Sequence, residues 1–185
     1  MVKVRDVLAD AADLTSDGAL ADRLREGIPS EGEEEKKRKA LLRAYNAVMG
    51  VTCAEFFPPR RREKVGGDKI FFADLAEAPT RIVAAYDGQG NGIGAVVCPT
   101  YAVARGAAEI EYEYFPSEKG EEDEHPFDER KLGVRAFAYG IAAEYCLIAG
   151  RYEESANWEG KYRAACAGRL TRRRAKKIPA RTWGL

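Results

Sequence analysis

Histidine is almost missing from this chain: His125 is the only one among 185 residues. Zinc sites built on histidine need several at fixed spacing, and a histidine-based acyl-transfer site needs a positioned nucleophile and an orienting carboxylate beside its base. His125 lies in "SEKGEEDEHPFDE", read from its composition as an exposed, mobile acidic loop that supplies neither partner. No serine or cysteine stands in a G-x-S-x-G or comparable setting. The four cysteines, Cys53, Cys98, Cys146 and Cys166, form no C-x-x-C pair. With no signal-peptide pattern ahead of them, reduced thiols in a protein made in a cytoplasm are expected. No apolar run approaches the ~20 residues that span a bilayer, so a soluble protein with no membrane partner is expected. Net charge is also missing, with 30 basic residues against 30 acidic ones. A protein that grips nucleic acid over its whole surface would be strongly basic.

What is present is a normal apolar content, 45%, and an uneven distribution of charge. The length and composition fit one domain, or one domain with a subdomain. Residues 109–130 carry ten carboxylates against Lys119 and Arg130, whereas Arg169 to Arg181 carries seven basic side chains and no acid. Segregated charge on a neutral chain points to head-to-tail contact between copies or to a strongly charged partner.

The periodicity changes along the chain. In "VKVRDVLADAADL", Val4, Val7, Leu8, Ala11 and Leu14 share a helical stripe. A looser stretch follows, in which Leu20 and Leu24 suggest a short helix. Ser30 and Glu33 have the spacing of a capping box, opening a helix over about 31–56. Its stripe is Leu41, Leu42, Tyr45, Val48, Met49, Thr52, Cys53 and Phe56, and Pro58 and Pro59 end it. Then "KIFFADL", "RIVAAYD", "GAVVCPTYAVA" and "AEIEYEYFP" read as short strands of an antiparallel β subdomain. In the last, Ile110, Tyr112 and Tyr114 alternate with Glu109, Glu111 and Glu113, as in a half-buried strand. "RKLGVRAFAYGIAAEYCLIAG" is apolar on most sides, as for a central helix closed by Gly150. "RYEESANWEGKYRAACAGRL" reads as a final helix with Glu153 and Glu154 in its first turn and Trp158, Tyr162, Ala165 and Cys166 to one side. There is no internal repeat.

The expected class is α+β: an antiparallel bundle of about four helices with an inserted small antiparallel β subdomain and an extended C-terminal arm. Residues 1–63 and 128–176 are assigned to the bundle, 64–116 to the β insertion, 117–127 to the acidic loop and 177–185 to the arm. The two helical halves must pack across the insertion to bury their stripes.

Candidate chemistry is thin. Gly88, Gly90, Gly92 and Gly94 in "DGQGNGIG" lie between two strand-like flanks, with no following helix to converge N–H groups on a phosphate, so a flexible hairpin loop is expected. Glu109, Glu111 and Glu113 share a strand face and could hold a hard cation, but period-two spacing sets them about 7 Å apart, and a solvated or subunit-facing surface fits better. No catalytic, cofactor or metal site is expected, and so no enzyme.

The basic tail, "RRRAKKIPARTWGL", remains. Three readings are open. A basic helix end complements the helix dipole. A run of cations contacts phosphate, although no recognition motif precedes it and no aromatic platform lies within it. A docking arm, broken at Pro179 and anchored by Trp183 and Leu185, would land on a partner, with Arg172, Arg173, Arg174, Lys176, Lys177 and Arg181 steering it.

Several stretches together resemble a family: "VRDVLADAADL", "AEFFP", "DKIFFADL", "EIEYEYFP", "AYGIAAEYCLIAGRYEESANWEGKYR" and "KIPARTW". Spanning nearly the whole chain, they are similar to the head-to-tail adaptor (connector) proteins of tailed bacteriophages, and the element order resembles the tail tubular adaptor of short-tailed phages. The matched residues are structural, not catalytic. The resemblance implies a virion protein of the neck that assembles as a ring, typically a dodecamer, on the portal protein. Such a ring extends the DNA channel without binding DNA specifically and presents a platform to a downstream tail protein (nozzle, stopper or tail tube component). It implies a C-terminal arm that docks on the portal. The glycine loop and the acidic loop are where the next tail protein would be met. Glu109, Glu111 and Glu113 are expected on a subunit or channel face, where their charge would repel sliding DNA. Two other functions compete: a small nucleic-acid-binding or packaging-associated protein using the basic tail, and a stopper or tail-completion protein further from the portal.

Overall fold

Apolar residues at helical spacing form helices here, and alternating ones form strands. A computed structural model of the chain describes residues 2–127 and 132–174. It is an α+β protein with, among the described residues, five α-helices and two small antiparallel sheets. The chain divides into two units, residues 1–48 with 120–185 and residues 49–119.

The first unit is helical. Helix α1 (Val4–Leu14) buries Val4, Val7, Leu8, Ala11 and Ala12, and leaves Leu14 half-buried at its end. Ser16 turns the chain through a positive φ of 66° into α2 (Gly18–Glu26), whose N-terminus is capped by the Asp17 carboxylate accepting from Leu20 N–H at 3.4 Å. Leu20 and Leu24 are buried, as their spacing required. Helix α3 (Glu33–Val51) starts later than the proposed capping box allows. Glu33 is its first helical residue, and the Ser30 hydroxyl is buried without a hydrogen-bond partner among the described residues. Gly32 at φ 61° makes the entry instead, its carbonyl accepting from Lys36 N–H. The buried stripe of α3 runs through Leu41, Ala44, Tyr45 and Val48.

Helix α4 (Val134–Ile148) buries Phe137, Ala138, Gly140, Ile141, Ala142, Ala143 and Cys146 and packs against α1 and α5 (Tyr152–Arg174). It is not buried all round, because Leu147 and Ile148 in its last turn are exposed. Gly150, at φ 75°, closes it as expected and lets Arg151 N–H reach the Cys146 carbonyl at 2.8 Å. Gly140 has a separate reason to be glycine. A Cβ there would lie 2.8 Å from Val48 Cγ1 and 3.1 Å from Tyr162 Cδ2, so α3, α4 and α5 meet at this one position. Over residues 152–169, helix α5 buries a narrow line through Ser155, Tyr162 and Cys166, with Trp158 half-buried beside it, and the Ser155 hydroxyl donates to the Ala143 carbonyl at 2.8 Å.

The acidic stretch is not a mobile loop over residues 120–127. It is strapped across the start of α1: Val4 N–H donates to the Asp123 carbonyl at 2.9 Å, Arg5 N–H to Glu121 at 3.0 Å, and His125 N–H to Val2 at 3.0 Å. Two of the N–H groups that a helix start leaves without intrahelical partners are thus satisfied by the strap's backbone. Its carboxylates are matched too, Glu121 by Arg38, and Glu122 by Lys3 and Arg5. Composition alone suggested solvent. The partners sit on α1 and α3, more than 80 residues away in sequence.

The second unit begins where α3 ends, with a π-helical turn at Thr52–Phe56 and then Pro58 and Pro59. Strand β1 (Arg60–Lys64) lies in the range assigned to the bundle, since residues 60–63 are charged and carry no apolar signal. The remaining strands are β2 (Lys69–Phe71), β3 (Pro79–Tyr86), β4 (Gly92–Ile93), β5 (Val96–Val97), β6 (Tyr101–Val103) and β7 (Glu109–Tyr114). They form two sheets, β1-β7-β3-β4 and β2-β6-β5, and the register is antiparallel throughout. Ile70, Ala85, Ala102, Ala104, Ala107, Ile110 and Tyr112 make the core of this unit.

Candidate interaction surfaces

The three glutamates of β7 do share one face, opposite the buried Ile110 and Tyr112, but they do not share it alone. β1 lies beside β7 with Arg60 opposite Glu113 and Arg62 opposite Glu111. Arg60 donates from Nε and Nη2 to one oxygen of Glu113, at 3.1 and 2.9 Å, and its Nη1 stands 3.7 Å from Glu111. Arg62 pairs diagonally with Glu109, and its guanidinium covers the Tyr86 ring at 3.9 Å. The Tyr86 hydroxyl donates to Glu111 at 2.8 Å, which holds the Tyr86 phenol above its ordinary pKa. Arg81, from β3, stands 3.9 Å from Glu113. Glu113 is buried, so its charge depends on these guanidinium groups. What the face offers a neighbour is a row of matched charges. A bare acidic wall repelling DNA does not follow from it.

Sequence reading missed this ladder. Arg60, Arg61 and Arg62 are consecutive, so no alternation marks the strand, and only the fold sets Arg60 and Arg62 opposite Glu113 and Glu111, where opposite charges facing across a strand pair are favourable.

The glycine loop is a hairpin turn, as its flanks indicated. β3 and β4 pair through Ala85–Ile93 and Tyr86–Gly92, and Asp87 organises the turn, its Oδ1 accepting from Gln89 N–H at 2.9 Å and Asn91 N–H at 2.8 Å. Those bonds to the charged carboxylate hold its pKa below the usual range.

His125 is neither exposed nor among acids. It packs edge-on against Tyr45, Phe127 and Phe137, and its Nδ1 is 2.9 Å from the Tyr45 hydroxyl. Nε2 is buried with no partner among the described residues. Burial in this aromatic cage pushes its pKa down to about 4, so the ring is neutral at pH 7.

The basic tail is described only in part. α5 carries the backbone through Arg172, Arg173 and Arg174 to its last residue. Lys176, Lys177, Arg181, Trp183 and Leu185 lie outside the described residues.

The exposed apolar side chains are concentrated. Of nine large ones among the described residues, Leu147, Ile148 and Tyr152 stand at the turn from α4 to α5, and Phe71, Val96 and Val97 belong to the β2-β6-β5 sheet. Beside the first group lie Glu144 and Glu153. On the sheet, Lys69 Nζ sits 4.7 Å from the Phe71 ring centre and 4.1 Å from that of Tyr101. Patches of this kind on a polar background are where partners are met. Comparison with known proteins adds no name to these surfaces: no family model matches the chain, and no curated protein matches it.

Proposed function

We propose that this protein is a structural subunit of a bacteriophage neck, a head-to-tail adaptor acting in assembly and not in catalysis. In this reading the helical unit is an antiparallel bundle forming the body of a ring, dodecameric by resemblance, seated on the portal protein in the virion. The ring extends the DNA channel and hands a surface to the downstream tail protein. The observation that carries the reading is α5. It is a 23-residue helix in which, over residues 152–169, only the line through Ser155, Tyr162 and Cys166 is buried, and it delivers the basic run beginning at Arg169. A helix so lightly packed at home suits a lever that presents its end to a partner. Its end supplies Arg172, Arg173 and Arg174 as steering charges, and the sequence beyond it supplies Lys176, Lys177 and Arg181 as further charges and Trp183 and Leu185 as anchors.

The test is negative-stain imaging of the protein mixed with its cognate portal. A stacked ring supports the adaptor, and loss of that ring on deleting 170–185 assigns the arm. A persistent monomer with no complex counts against it. The basic run also motivates the DNA-binding reading, and salt separates the two. Neutralising six or seven phosphates makes affinity fall by roughly 10³–10⁵ between 50 and 200 mM salt, whereas portal docking through Trp183 survives that change.

A further inference from the structure

We infer that the turn between α4 and α5 and the open face of the β2-β6-β5 sheet are the two halves of a head-to-tail contact between copies of this chain. The contact stands on the described surfaces alone. Only its closure into a ring rests on the neck reading above.

Five of the nine large exposed apolar side chains among the described residues fall on these two surfaces, Phe71, Val96, Leu147, Ile148 and Tyr152, each 45% to 69% exposed. On the sheet, the strand register fixes which residues share a face. Lys69, Val103 and Val96 form one row across the three strands, and Phe71 lies beside Tyr101 in the next. The alternate row is Ile70, Ala102 and Val97; Ile70 and Ala102 are buried in the core, and Val97, at the edge of that opposite face, is exposed. The outer face is therefore Lys69, Phe71, Tyr101, Val96 and Val103, with Phe71 and Val96 exposed and Tyr101 and Val103 half-buried. Lys69 and Lys64 line one depression together with Phe71, against a single carboxylate, Asp74. Neither lysine has a carboxylate partner among the described residues. This half is apolar with a positive rim.

The other half is apolar with a negative rim. Glu144 lies three and four residues before Leu147 and Ile148, on the same side of α4, and Glu153 follows Tyr152 at the start of α5. Neither glutamate has an ion-pair partner among the described residues, whereas Glu154 is held by Arg151 at 3.1 Å. Elsewhere, across α1–α3 and the β1–β7 ladder, most charges are matched inside the chain. Both rims carry charges without an ion-pair partner among the described residues, of opposite sign and each around an apolar centre.

The complementarity chooses the geometry. A two-fold contact would set glutamate against glutamate, or lysine against lysine. Pairing unlike halves is favourable and is heterologous, the kind of contact that builds rings or filaments. Apolar burial at the centre supplies affinity, and the rims supply orientation and approach rate.

The experiment uses the full chain with no portal, in sedimentation velocity over a range of concentrations. Lys69→Glu and the pair Glu144→Lys/Glu153→Lys are made separately. The wild type should associate with concentration, and each variant alone should associate about tenfold more weakly or worse. Mixing the two in equal amounts should restore association, because each supplies the charge the other lost. A second measurement keeps a weak contact testable: Val96→Cys in a Cys98→Ser background, mixed with Ile148→Cys, should form the mixed disulfide faster than either variant self-links. A wild type monomeric at every concentration, swap variants that associate like the wild type, a mixture that does not recover, or no preference for the mixed disulfide each overturns the contact. Failure of portal binding with these results intact would remove the neck reading and leave the contact standing.

Discussion

The Tyr45 hydroxyl and Nδ1 of His125 meet at 2.9 Å inside the helical unit, joining α3 to the strap that covers the start of α1. The ring cannot easily accept a second proton, because its pKa is held at about 4 against an ordinary 6.5. The unfolded chain takes up that proton near pH 6.5, and the folded one only near pH 4. Stability attributable to His125 is thus full above pH 6.5, falls as the pH drops from 6.5 to 4, and is flat below. A shift of this size amounts to roughly 3 kcal/mol. Urea unfolding at pH 7.5 and pH 4.5 should show it. His125→Gln should be less stable than the wild type at pH 7.5 and should lose less on acidification. An equal pH dependence in both proteins would refute the assignment.

Gly140 predicts a packing cost with a specific rescue. Gly140→Ala should gain about 1 kcal/mol from helix propensity and lose about 1–3 kcal/mol from crowding Val48 and Tyr162, for a net loss of up to about 2 kcal/mol. Shortening Val48 to alanine in the Gly140→Ala background should recover part of that loss. The coupling in a double-mutant cycle of thermal or urea unfolding is the measurement, and simple additivity would show the two sites do not touch.

The two kinds of element were not equally legible in the sequence. α1, α2 and most of the α3 stripe follow from apolar residues at helical spacing, because a helix must bury one side and this chain has apolar residues to do it. β7 follows from strict alternation of Ile110 and Tyr112 with glutamates. β1 was invisible because "RRREK" buries almost nothing. It is an edge strand held by the ion pairs its arginines make with β7, and no local pattern names the partner. The strap failed for the same reason. "GEEDEH" looks solvated until Arg38, Lys3 and Arg5 are brought to it, and His125 looks exposed until Tyr45 and Phe137 close around it. Long-range electrostatic and aromatic pairings carry no local period, so composition misassigned both. The exposed apolar corner was hidden for the converse reason. Leu147 and Ile148 continue the α4 pattern, and only the fold shows that the pattern runs past its partners.

The β1 edge should be sensitive to one residue. Removing Arg60 leaves Glu113 buried with only Arg81 near it, at 3.9 Å. Arg60 is itself about half exposed, so the cost is moderated by solvent. Arg60→Met should destabilise the β unit by about 1–2 kcal/mol, and Glu113→Gln, which keeps an acceptor without the charge, by less. Amide hydrogen exchange along β1 and β7 reads this directly. Faster exchange confined to those strands in Arg60→Met is expected, and unchanged protection would show that the ladder contributes no stability.

The cysteines should separate by burial. Cys53, Cys146 and Cys166 are buried, and desolvation raises the Cys53 thiol to about 11 and also raises Cys146. A thiol reacts as its thiolate, so both burial and raised pKa slow these residues. Cys98, half-buried beside the exposed β5, is the accessible one. Titration with a chromogenic disulfide under native conditions should therefore release one fast equivalent per chain, and all four only on denaturation. Cys98→Ser should abolish the fast phase and leave the other three unchanged. If the head-to-tail contact covers the sheet face, that fast phase should also slow as protein concentration rises, because Val96, two residues from Cys98, lies in the surface that becomes buried.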